Sequence, residues 1–160
     1  MKRRANPYTD TQVIDVRAPR FLQTTVAVVA AIGVATGAWW LFAILAVQLA
    51  LGLTLGRRWC LPCVAYFELV QPRFGEGKLE DSRPPRFANQ VGLAFLGAAT
   101  IFGAVGLDVV SLALGAIVAA LALLAATTGI CVGCRFYELS YRLRGREFIA
   151  CPLPPVPDQA

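Results

Sequence analysis

The chain has 160 residues, of which 57% are hydrophobic and 16% charged, with a mean hydropathy of +0.60 and a formal charge of +5. Soluble domains carry about 25% charged residues, so this composition excludes a disordered chain, a solvated repeat solenoid and most soluble enzymes of this length. There is no His and a single Met, Met1. That excludes a Ser-His-Asp triad, a Cys-His nucleophile and His metal ligands, and haem is not expected. Cys, carboxylates and Tyr are left to carry any chemistry.

In chain order, residues 1–20 read as a polar N-terminal segment. Phe21 to Gly56 then carries no charge over 36 residues. One helix of that length would reach roughly 54 Å, against a hydrocarbon core of roughly 30 Å. A hairpin is therefore expected, turning at Thr36-Gly37-Ala38, with Trp39-Trp40 at headgroup level. Cys60-Leu61-Pro62-Cys63 closes this first unit, residues 21–70, and a linker over 71–86 follows. The second unit, 87–143, contains one charge up to Cys134, Asp108, where the expected turn Gly106-Leu107-Asp108 falls. It closes with Cys131-Val132-Gly133-Cys134. A Pro-rich tail, 144–160, holds Cys151. The expected fold is all-α, with four transmembrane helices near 21–37, 39–56, 87–106 and 109–130.

All fifteen Lys and Arg fall in three blocks, Lys2 to Arg20, Arg57 to Arg86 and Arg135 to Arg146. The positive-inside rule puts all three in the cytoplasm, so both termini and the linker are expected there, in a bacterial inner membrane. A signal peptide would not carry Asp10 and Asp15 ahead of its apolar run. The basic residues serve topology and anionic lipid headgroups, and no nucleic-acid partner is expected.

The halves share a pattern. Arg17-Ala18-Pro19-Arg20-Phe21 and Arg83-Pro84-Pro85-Arg86-Phe87 open the hairpins, and a Cys-x-x-Cys-x-x-Tyr ends each. Two parallel helical-hairpin repeats about a pseudo-two-fold axis along the membrane normal are expected. Arg20 and Arg86 read as interfacial anchors. Gly33/Gly37, Gly52/Gly56 and Gly129/Gly133 suit close helix packing, within the bundle or in an oligomer. No ionisable residue lies inside an expected helix, which disfavours proton-coupled transport. Gln48, Asn89 and Gln90 are the main polar side chains near the membrane.

Three readings of the cysteine pairs stand side by side. Cys60, Cys63, Cys131 and Cys134 are a candidate four-thiolate set for zinc or an iron–sulfur cluster, although about 67 residues separate the pairs. They are equally candidate redox thiols. Helices over Cys63 to Val70 and Cys134 to Leu143 would lend thiolate character through their dipoles. They are also small apolar residues that suit buried helix ends. A reducing cytoplasm disfavours permanent structural disulfides and disfavours a disulfide-generating quinone enzyme of the outer-face kind. Cys151 is a spare thiol, incidental or resolving. Tyr66 and Tyr137 read as interfacial anchors, or as hydrogen-bond partners of a thiolate.

Three segments carry a family resemblance: Ile14 to Phe21, Leu79 to Ala88, and Gly129-Ile130-Cys131-Val132-Gly133-Cys134-Arg135-Phe136-Tyr137. Over about Val13 to Leu143 the chain resembles small bacterial integral membrane proteins of the domain-of-unknown-function 4395 type. The resemblance implies companions among thioredoxin-like proteins and sulfurtransferases, and implies that Cys131 and Cys134 are the more typical pair. The expected function is thiol redox or persulfide handling, with Cys131 and Cys134 as main dithiol and Cys60 and Cys63 as a second. The alternatives are a non-enzymatic subunit holding zinc or a cluster on the four Cys, and an accessory subunit of a membrane complex with passive thiols.

Overall fold

Two segments flanking the apolar runs pair into a small sheet. In the computed structural model, which describes residues 5–143 and 145, the elements are β1 (Val13–Asp15), α1 (Arg17–Thr36), α2 (Trp40–Thr54), a 3₁₀ turn (Arg57–Trp59), α3 (Leu61–Ala65), a π turn (Tyr66–Val70), α4 (Gln71–Phe74), β2 (Leu79–Asp81), α5 (Arg83–Ala104), α6 (Asp108–Thr128) and α7 (Val132–Leu143). Strands β1 and β2 are antiparallel, with Ile14 opposite Glu80. The pleat turns Val13, Asp15, Leu79 and Asp81 inward. Each inward Asp then starts a helix. Asp15 Oδ1 accepts the Arg17 N–H at 2.9 Å, and Asp81 Oδ1 accepts the Arg83 N–H at 2.8 Å. A carboxylate there meets unpaired amides and the positive end of the helix dipole.

The expected arrangement of four transmembrane helices in two paired hairpins is corrected on three counts. First, three helices are long and apolar enough to cross a membrane: Arg17–Thr36, Arg83–Ala104 and Asp108–Thr128. Helix α2 has 15 residues, not the 18 expected over 39–56. At 1.5 Å per residue it reaches about 22 Å, short of the roughly 30 Å hydrocarbon core. The physical reason is a fold-back. Gly56, at φ 93°, reverses the chain, and the Gln48 amide donates to the Trp59 carbonyl at 2.9 Å. Second, the hairpins are not self-contained. α1 packs chiefly on α6 and α2 on α5, while α5 also meets α6 and α7. Third, the fold is not purely helical, because β1 and β2 tie residue 14 to residue 80.

Both expected turns are present. Gly37, at φ 70°, ends α1 in the left-handed region that favours Gly. Gly106 precedes the start of α6 at Asp108. The core is centred on Phe42 of α2, which is fully buried. Its ring lies in a slot where Gly33 of α1 and Gly115 of α6 have no side chain; a Cβ at Gly33 would stand 2.8 Å from the ring. Ser111 ties α6 to α5 by donating to the Ala99 carbonyl at 2.7 Å. Large apolar side chains point outward from the spanning helices, among them Val28, Ile32, Ile101, Val109 and Ile117. In a bilayer such a surface meets lipid, so the long apolar helices define a multi-pass membrane protein.

Candidate functional site

Each cysteine pair stands just after an apolar helix, at the end of the bundle where α1 and α5 begin. The first pair is folded inward. After the 3₁₀ turn, Cys60 tucks beside Gly52, whose added Cβ would lie 3.1 Å from that of Cys60. Cys60 is 4% exposed. Pro62, in the first turn of α3, lacks the N–H that this turn would leave unpaired. Cys60 and Cys63 are joined in a disulfide, with Cα atoms 5.1 Å apart.

This pair lines a half-open cavity of about 310 Å³, together with Pro19, Leu53, Arg57 and Arg86. The Arg57 guanidinium donates to the carbonyls of Pro7, Asp10 and Thr11 at 3.0, 3.3 and 2.9 Å. Burial holds its pKa below the usual value, Arg86 lowers it further, and Asp10 opposes the shift. Arg86 donates to the Leu53 carbonyl at 3.2 Å, at the electronegative end of α2.

Tyr66 is buried and donates to Asp15 Oδ2 at 2.9 Å. The same oxygen accepts Gln71 Nε2 at 3.2 Å and the Gly77 N–H at 2.8 Å. Burial, then the bond to Asp15, pushes the Tyr66 pKa up. Tyr66 is thus a structural latch rather than an interfacial anchor or a thiolate partner. Tyr137 meets the Tyr141 hydroxyl at 3.3 Å and the Phe87 ring at 5.5 Å.

The second pair is built for a thiolate. Cys131 immediately precedes α7, and Cys134 lies in that helix's first turn. Both are half-buried reduced thiols. The Cys131 pKa is lowered to about 6. The Cys134 thiol, hydrogen-bonded to Cys131, is the largest cause, burial opposes it, and the Cys134 and Gly133 amides and Gln23 assist. Gln23 Nε2 of α1 donates to Cys131 Sγ at 3.5 Å. Free Cys titrates near 8.5, so Cys131 is mostly thiolate at neutral pH, as at other helix N-termini.

Cys131 lines a second cavity of about 420 Å³, walled by apolar side chains of α1, α5 and α6. Leu22, Leu49 and Asn89 line both cavities and so form a shared wall. The pairs do not merge into one centre. Among the described residues no three Cys, Asp or Glu side chains gather as a metal-ligating group. The four-thiolate set therefore has no geometric support here. Cys151 lies outside the described residues.

Two contributors escaped the sequence reading. Gln23 follows Arg20 by three residues as Asn89 follows Arg86, so an amide recurs at the same step after each Arg-Phe. Asp15 and Asp81 likewise each stand two residues before an Arg. These recurrences were the available signals.

The fold and site define a multi-pass membrane protein with two Cys-x-x-Cys pairs on one end of its helix bundle. The two pairs are consistent with redox-capable cysteines. A family model described as a domain of unknown function (DUF4395) matches residues 14–142, and the chain belongs to that family of small membrane proteins. No curated protein and no solved structure matches the chain.

Proposed function

We propose that the protein exchanges thiols and disulfides, or passes sulfane sulfur, at the face of a bacterial inner membrane. Cys131 and Cys134 are its main dithiol. Cys60 and Cys63 are a second couple, exchanging with the first or with a soluble thioredoxin-like or sulfurtransferase partner. The basic blocks favour the cytoplasmic face for both termini and both pairs. The observation that carries the proposal is the thiolate environment of Cys131: a helix N-terminus, the Cys134 thiol and the Gln23 amide all face one sulfur.

In the exchange the Cys131 thiolate attacks a partner disulfide, forming a mixed disulfide and releasing one partner thiolate. Cys134 then loses its proton and displaces the second partner sulfur. The Cys131–Cys134 bond forms as the partner becomes a dithiol. The reverse sequence reduces the pair. The half-exposed Cys63 sulfur offers the attack point on the second couple, because Cys60 is covered.

The test reconstitutes the protein in lipid nanodiscs and follows its thiols by mass-tag alkylation after mixing with an oxidised or a reduced thioredoxin-fold protein. Cys131→Ser and Cys134→Ser are each expected to abolish exchange at the second pair. Thiols that all titrate near the free-Cys value and never exchange would end the proposal.

A further inference from the structure

We propose that the 420 Å³ cavity beside Cys131 is a site for a membrane quinone, which accepts electrons from the Cys131–Cys134 dithiol. The inference rests on the dithiol chemistry proposed above and names its electron acceptor.

Four observations converge on this ligand class. The cavity is of the size that holds a small-molecule ring system, commonly about 300–1,000 Å³. Its walls are apolar side chains of spanning helices, including Val118, Leu121 and Ala122 of α6, so an apolar molecule dissolved in the bilayer reaches it. The rings of Phe87, Phe95 and Phe136 line it and suit stacking against a flat ring. Its amides are those of Gln23 and Asn89. Gln23 already contacts the Cys131 sulfur, and the Asn89 side-chain amide has no hydrogen-bond partner among the described residues. An amide N–H₂ donor in an apolar wall fits a quinone carbonyl oxygen. An acyl chain, the other apolar molecule at hand, has no acceptor to offer it.

The chemistry balances. As the S–S bond forms, the Cys131 thiolate and the Cys134 thiol together lose two electrons and the one Cys134 proton. The quinone takes up both electrons, that proton and a second proton from water, and leaves as a quinol. The reduced, dithiol form of a soluble partner then restores the thiols by exchange and leaves as a disulfide. The expected bar rested on a reducing cytoplasm, which disfavours permanent disulfides; here the Cys131–Cys134 bond is transient and is reduced again in each cycle, and a bilayer-soluble quinone reaches thiols at either face.

The test uses the full-length protein in nanodiscs, with its dithiols pre-reduced and a short-tailed ubiquinone analogue as probe. Quinone absorbance is followed by stopped flow, and the Cys131–Cys134 bond by mass-tag alkylation. Oxidation is expected to saturate with quinone concentration. Leu121→Trp, which fills the cavity from a half-exposed position, is expected to slow it about tenfold or more, and Asn89→Leu to weaken quinone affinity several-fold. Both variants should still exchange with a thioredoxin-fold disulfide at the wild-type rate, which shows that they fold. Oxidation that rises linearly with quinone and ignores both variants would overturn the quinone site while leaving the dithiol intact. So would a pair that exchanges with proteins but is never oxidised by quinone. Loss of both reactions in the unmodified protein would sink the dithiol proposal itself.

Discussion

Gln23 and Cys131 lie 108 positions apart in sequence, yet the Gln23 amide donates to the Cys131 sulfur at 3.5 Å. The contact exists because α1 packs along α6 and brings the second residue after Phe21 beside the chain leaving α6. It joins the first apolar run to the chemistry of the last motif.

Alkylation of Cys131 is expected to rise with pH and to reach half its plateau near pH 6, where the thiolate forms. Cys134→Ala removes the largest stabilising contact and should move the midpoint upward, with Gln23→Leu moving it less. The linkage has a definite sign. The folded-state pKa lies below the value of about 8.5 for free Cys, so the associated stability is present above that value and is lost as pH falls through about 6. Iodoacetamide kinetics across pH 4.5–9, read by peptide mass spectrometry, check the midpoint.

After mild reduction, Cys63 is expected to be alkylated well before Cys60. Cys63 is half-buried, whereas Cys60 is 4% exposed and wedged against Gly52. Equal rates at the two sulfurs would show that the fold-back after α2 opens once the disulfide is cut. Gly52→Val should disturb this wedge, and the same mass-spectrometric time course would then show faster Cys60 labelling.

Asp15→Ala should destabilise the protein by about 3 kcal/mol, since an unsatisfied buried donor costs about 1–3 kcal/mol and this oxygen pair serves Tyr66, Gln71, Gly77 and Arg17. Tyr66→Phe removes one of those bonds and should cost about 1 kcal/mol. The double variant should lose less than the sum, because the two residues share a contact. Thermal unfolding in detergent, with the two single variants alongside, measures the cycle.

Phe42→Ala should cost about 3–5 kcal/mol through the cavity it leaves between α1, α2 and α6. Gly115→Val drives a side chain into the Phe42 ring and should destabilise by about 1–3 kcal/mol or more. Combining Gly115→Val with Phe42→Ala should recover part of each loss, because the added volume occupies the emptied slot. Detergent unfolding of the three variants decides whether this slot organises the bundle.

By itself the sequence determined the membrane character, the turns at Gly37 and Gly106, and the placement of both cysteine pairs beside helix ends. These follow from local rules: uncharged runs too long for one crossing, glycines where φ is positive, and motifs that end each run. It also pointed to a helix over Cys134 to Leu143, which the structure shows as α7, starting at Val132. Only the tertiary structure decided how far each apolar run extends as a helix. α2 stops short because Gln48 and Gly52 take back residues 59 and 60, a fold-back over 8 to 11 residues that hydropathy alone does not register. The cross-packing of α1 on α6 and of α2 on α5 is non-local. That packing keeps the two cysteine pairs apart in separate cavities, oxidised in one and reduced in the other. The motif itself supplies the largest cause of the Cys131 thiolate, its Cys134 thiol, whereas the smaller contact from Gln23 comes from a residue 108 positions away.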